Sequence, residues 1–193
     1  MSEDDLIAQR KEKLARLRGR GIDPYPPRFD RTHTAAEATA LAPADGAGPD
    51  VTVAGRIMAM RGMGKASFAD LRDGSGRIQA YFKQETLGPE AYGILKEIDL
   101  GDFLGLTGYL FRTRTGEPTI EVREFTVLAK ALRSPPEKWH GLQDVEQRYR
   151  QRYLDLLSNP EARAIPRVAC GCANVVASCF RLSRLCTGSN SST

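Results

Sequence analysis

From Val51 onward, apolar and polar residues alternate with a period of two, the mark of half-buried strands. Val51–Arg61 reads as a first strand, the glycine-containing stretch Arg61–Lys65 as a loop and Ala66–Arg72 as a second strand. The run Asp73-Gly-Ser-Gly76 is a hairpin signal, and Arg77–Phe82 follows as a third strand. Glu85–Ile98 has helical spacing. Asp102–Phe111, a turn over Thr113–Pro118, and Thr119–Leu128 make a second hairpin. The order is three strands, a helix and two strands, within about 80 residues from Val51 to Lys130. This predicts a mainly β domain with flanking helices. A five-stranded OB-fold barrel, preceded by an N-terminal helix, has this order. A sandwich or an SH3-like barrel shares the spacing, which does not itself fix closure.

Outside that block the period is helical or absent. Residues 2–20 predict a surface helix: Ser2 as cap, acidic residues in the first turn, Lys and Arg in the last turns. Its thin apolar stripe, Leu6, Ile7, Leu14 and Leu17, predicts weak docking. Asp-Pro-Tyr-Pro-Pro, ending at Pro27, stops it, a short helix starts at Thr34, and the Ala/Gly/Pro-rich residues 42–50 read as a linker. Beyond the break at Ser134-Pro-Pro136, Leu142, Val145, Tyr149 and Tyr153 recur at helical spacing through Gln143–Leu157. Arg148, Arg150 and Arg152 lie among them, as expected of a solvated face. The expected organisation is a helical extension and linker over 1–50, the barrel over 51–130, a linker and the start of a further region over 131–165, and an unrelated, disordered tail over 166–193.

The composition, 41% hydrophobic and 27% charged over 193 residues, is that of a globular chain. No apolar run approaches the roughly 20 residues that span a bilayer, so the expected setting is cytoplasmic, without a membrane. The net charge of +4 is misleading as a footprint. Pro166–Thr193 holds three Arg and no Asp, Glu or Lys, so the rest of the chain carries a net of only +1. A nucleic-acid surface has to come from local clustering. All four cysteines (Cys170, Cys172, Cys179, Cys186) also sit in this tail, which excludes a disulfide framework through the fold. Their spacing is not a common zinc pattern, and His33 and His140 lie far upstream, so no metal site is expected.

Gly62-Met-Gly-Lys65 fails as a phosphate loop, because Ala59 and Ala66 stand where Gly and Ser or Thr are needed. No catalytic motif or carboxylate pair appears, and no catalytic residue is assigned. Alternation places Phe68, Asp70 and Arg72 on the outward face of the second strand, and Arg77, Gln79 and Tyr81 on that of the third. The loops at the barrel mouth add Arg61 and Lys65, then Arg112, Arg114 and Glu117. Aromatics stack on unpaired bases, amides and carboxylates read base edges, and arginines hold phosphates. An amphipathic sheet with rim aromatics has the same pattern.

Several stretches resemble one family. Val53-Ala-Gly-Arg-Ile57, Arg61-Gly-Met-Gly-Lys-Ala-Ser-Phe68, Leu71-Arg-Asp-Gly-Ser-Gly-Arg-Ile-Gln79, Asp99-Leu-Gly-Asp102 and Thr113-Arg-Thr-Gly-Glu117 are similar to the N-terminal anticodon-binding region of class II lysine–tRNA ligases. The most specific stretch runs from His140-Gly-Leu-Gln to Leu156 and favours lysine over the aspartate and asparagine enzymes. The resemblance implies a barrel that grips the anticodon loop of a lysine-accepting tRNA. The outward face and the loops leave Lys65, Arg72, Arg77, Tyr81, Arg112 and Arg114 as further candidate contacts, and the resemblance places the base-stacking aromatic on Phe68 and the base-reading groups on Arg61, Gln79 and Glu117. It also implies ATP, magnesium and a homodimer for the full-length family. Similarity stops near Ile165, and the change in composition resembles a shifted or prematurely ended reading frame. The catalytic motifs would lie beyond, so the expectation is a chain without cofactor, inactive alone. A free-standing module that binds single strands without sequence preference is the competing expectation, and a purely structural role a third.

Overall fold

The computed structural model describes residues 2–135, 144–159 and 162. It divides into two compact units, Met1–Ser134 and Pro135–Thr193.

The first unit is built on five strands: β1 (Asp50–Met63), β2 (Ala66–Arg72), β3 (Arg77–Lys83), β4 (Phe103–Arg112) and β5 (Pro118–Ala129). They close in the order β1-β2-β3-β5-β4, with β4 returning to β1. All neighbours are antiparallel except β3 and β5, which run parallel from Gln79↔Thr119 to Phe82↔Val122. A parallel pair needs a long crossover. Here it contains α3 (Gln84–Ile94), a 3-10 turn (Leu95–Glu97) and the whole of β4. α3 is kinked at Gly88, whose φ of 81° precedes Pro89, so the single helix expected over Glu85–Ile98 is two shorter pieces and a turn. A proline at 89 cannot continue the hydrogen-bond ladder from within a helix, which is the physical reason.

Alternation works as the pattern predicts. Ile57, Leu71, Ile78, Phe82, Leu104, Leu106 and Ile120 point inward and are at most 1% exposed. The β2–β3 turn is tied by Asp73, whose carboxylate accepts from the backbone N–H of Ser75 and Gly76. Its other oxygen accepts from the N–H of Ala35 at 3.0 Å, anchoring α2 (Ala35–Leu41) to the hairpin. Burial raises the Asp73 pKa, but these bonds outweigh it and hold the carboxyl below its usual value. The stretch 42–50, expected as a linker, is tied down along β4: Gly48 N–H donates to the Leu110 carbonyl at 2.6 Å, and Leu110 N–H to that of Pro49.

The N-terminal helix α1 (Glu3–Gly19) starts as expected, with Ser2 and Asp5 forming a capping box. Weak docking is corrected. Only Leu17 of the apolar stripe is fully buried, but the basic face does the rest. Arg10 is 8% exposed and donates to the carbonyls of Leu100, Ala131 and Arg133. Lys13 pairs with Asp99 at 2.5 Å and Arg16 with Glu97 at 2.9 Å. Fully buried Lys130 meets Asp99 and Asp102 at 2.6 Å each.

In the second unit the helix expected over Gln143–Leu157 is two, α4 (Val145–Arg150) and α5 (Arg152–Ser158), broken at Gln151. The solvated arginine face is also corrected. Arg150 is exposed, but Arg148 and Arg152 converge on buried Asp155, which Asn159 joins. Much of the His140–Leu156 stretch's start, at 140–143, and the tail with its four cysteines lie outside the described residues.

Candidate nucleic-acid interface

The outward faces of β2 and β3 meet in register, Phe68 opposite Tyr81, Asp70 opposite Gln79 and Arg72 opposite Arg77. The Phe68 and Tyr81 rings stack with centroids 4.7 Å apart and planes at 28°. Tyr81 also presents an edge contact to Phe111 of β4 at 6.2 Å, and Phe111 lies 6.2 Å from Tyr109. The aromatic band thus crosses the barrel wall. Tyr109 donates to Glu121 at 2.5 Å, and this bond, with burial, pushes its phenol up to about 12.

Arg61 is carried by the end of β1 and pairs in register with Phe68. Thr113, Arg114, Thr115 and Glu117 come from the β4–β5 turn, closed by Thr113 N–H donating to the Glu117 carbonyl and by Gly116 at φ 80°. These two elements wall an open groove of about 510 Å³, lined by Arg61, Met63, Phe68, Gln79, Thr113, Arg114, Thr115 and Glu117. All four residues assigned to base stacking and reading therefore line one groove.

Its polar floor is a connected set of hydrogen bonds. The hydroxyl of fully buried Thr119 donates to Gln79 Oε1 at 2.9 Å, which turns the amide nitrogen toward Glu117 Oε2 at 3.4 Å. Arg77 donates to Glu117 Oε1 at 2.6 Å and lies 3.6 Å from Asp70, which Arg61 approaches at 3.9 Å. Gln79 and Asp70 are only 8% and 6% exposed. They belong to the outward face, as alternation requires, but lie beneath the longer arginine chains. Gln79 offers a donor, Glu117 an acceptor with lone pairs to spare, Phe68 a flat apolar ring and the arginines positive charge.

The further candidates divide. Arg114 lines the groove, Arg77 braces Glu117, and Tyr81 backs Phe68. Lys65 lines a neighbouring pocket instead. Arg72 does not line the groove. Arg112 is exposed and does not line the groove; its guanidinium donates to the carbonyls of Pro43, Gly116 and Ala42. Sequence reasoning missed Met63, Thr113, Thr115 and the orienting Thr119. Among the described residues no three His, Cys, Asp or Glu side chains cluster to hold a metal, and no helix is long and apolar enough to cross a membrane.

A closed five-stranded barrel with stacked aromatics and a polar groove on β2–β3 defines the chain's class as an OB domain. In agreement, residues 51–128 match the tRNA anti-codon family model, described as an OB-fold nucleic acid binding domain. The chain is similar to the N-terminal portion of lysine–tRNA ligases. It is 52% identical over 168 residues to the lysine–tRNA ligase of Dehalococcoides mccartyi (strain BAV1), covering 84% of this chain and 34% of that protein. The enzyme of Pelotomaculum thermopropionicum is 50% identical over 162 residues (84% and 32%), and that of Enterococcus faecalis 49% over 165 (82% and 33%). The chain thus spans about a third of the length of the curated relatives it matches.

Proposed function

We propose that this chain is the tRNA-capturing portion of a lysine–tRNA ligase and that its groove reads uridine in the anticodon. The observation that carries the reading is the convergence of Arg61, Phe68, Gln79 and Glu117 on one groove from four separate parts of the barrel. Phe68 supplies a stacking surface. The Glu117 carboxylate accepts the uracil N3–H, and the Gln79 amide and Arg61 donate to its carbonyl oxygens. Cytosine has no N3–H, so it leaves Glu117 as an unpaired acceptor, which is the source of discrimination. Attachment of lysine, with the ATP and magnesium implied by the family, falls to the part of the relatives outside the match.

Titration of RNA hairpins differing only at the central loop base tests this. Phe68→Ala should cost about 1–3 kcal/mol for every sequence, the worth of one base stacked on an aromatic. Gln79→Ala and Glu117→Ala should shrink the preference for uridine over cytidine while changing overall affinity less. Equal affinity of the unaltered protein for both loops would reject base reading and leave a generic single-strand binder.

A further inference from the structure

Met63 stands at the end of β1, 70% exposed, and lines two pockets at once. One is the groove. The other, about 620 Å³, is walled by Met63, Tyr81 and Pro89 and rimmed by Lys65, Lys83 and Glu85. The stacked pair is divided between them, Phe68 lining the groove and Tyr81 the second pocket. We propose that the second pocket takes the nucleotide adjacent to the one read in the groove, base against Tyr81 and Met63, phosphate toward Lys65. The proposal rests on the reading of the groove as an anticodon site.

The chemistry of the walls selects this occupant. A flat apolar surface with cations at its rim matches a nucleobase joined to a phosphate, and the pocket adjoins the groove through a shared side chain, as consecutive nucleotides of one strand require. Gln84 and Glu85 also line it, but Glu85 is engaged by Lys83. No bond between the two, like that of Gln79 and Glu117, is seen among the described residues, so the pocket is proposed to hold its base by stacking. The two lysines are not equivalent. Lys83 is engaged by Glu85 at 2.7 Å, and that bond raises its pKa. Lys65 makes no ion pair among the described residues and is the cation available to a phosphate. Glu85 therefore opposes binding twice, by holding Lys83 and by repelling the phosphate.

The test uses the full chain and an RNA hairpin with a seven-nucleotide loop, uridine at its centre and 2-aminopurine beside it. Binding should quench the 2-aminopurine emission. Lys65→Ala should reduce the slope of log affinity against log salt by about 0.7, the contribution of one phosphate contact to a single strand. Glu85→Gln should move it the other way, with tighter binding at low salt, whereas Glu90→Gln, outside the pocket, should leave the slope unchanged. None of the three should alter the uridine preference. Retained uridine preference with an unquenched probe, or with slopes unmoved by Lys65→Ala and Glu85→Gln, would overturn the second pocket and spare the groove. Loss of uridine preference in the unaltered protein would overturn both.

Discussion

Asp99 shows how single charges hold α1 to the barrel. Burial raises its pKa, but the bonds from Lys13 and Lys130 outweigh that and set the carboxyl below its ordinary 3.8. A carboxylate with a lowered folded pKa stabilises the native state fully above its unfolded value, and the contribution disappears as pH falls through the folded pKa. Asp99→Asn should therefore lower stability at neutral pH by roughly 1.5–3 kcal/mol, the range for a hydrogen bond to a charged group. The deficit relative to the unaltered protein should begin to shrink as pH drops below about 3.8, where the unfolded carboxyl takes up its proton, and vanish once pH has passed the lower pKa of the folded state. Thermal melts of both proteins from pH 7 down to pH 2 check this. A deficit that stays constant over the whole range would mean that the Asp99 charge contributes nothing. In the groove, Arg77 donates to Glu117 and fixes where its acceptor points.

Among the elements, β4 and β5 are pressed together where their register shifts between Thr107 and Gly108. A Cβ on Gly108 would lie 2.0 Å from the Glu121 carbonyl oxygen, a backbone atom that cannot step aside. Gly108→Ala should destabilise by about 1–3 kcal/mol, as overpacking does. Gly93, in α3 with nothing within 4 Å, should accept alanine without loss. Comparing the two melting temperatures checks the contrast, and equal stability of both variants would refute the close approach. This constraint was not legible in the chain, because a glycine in a strand does not name what crosses it. The strands themselves were legible: Ile78, Ala80 and Phe82 alternate with Gln79 and Tyr81, and period two leaves one solution for which face is buried. So was the hairpin at Asp73-Gly-Ser-Gly76. What stayed hidden depends on contacts between residues distant in sequence. Arg10 finds three carbonyls at positions 100, 131 and 133, and Arg112 finds those of Pro43 and Ala42. The groove residues were reached by alternation and by resemblance together, whereas Thr119, which sets the Gln79 amide, needed the parallel β3–β5 register to be seen.

At the scale of the first unit, the polar clasp and the groove use separate residues of one barrel. The clasp joins α1 to the 3-10 turn and the end of β5 through Arg10, Lys13, Arg16, Glu97, Asp99 and Lys130. The groove draws on β1, β2, β3 and the β4–β5 turn and includes none of these. Near-neutral charge over residues 1–165 means that affinity for RNA has to come from the local set of arginines and lysines, not from the overall field. Stability and base discrimination should then respond to different substitutions. Arg10→Met removes a buried guanidinium and leaves the Leu100, Ala131 and Arg133 carbonyls without that donor. Losing the hydrogen bonds of this charged group costs about 1.5–3 kcal/mol, so the melting temperature should fall by several degrees. At a temperature where the variant remains folded, its ratio of affinities for uridine and cytidine loops should match that of the unaltered protein. Glu117→Ala should do the reverse, shrinking the ratio with little change in melting temperature, since Glu117 lies at an exposed turn. Melting curves and paired loop titrations on the two variants decide the matter. A changed uridine preference in Arg10→Met would show that the clasp reaches the groove through the barrel wall and that discrimination depends on how tightly α1 is held.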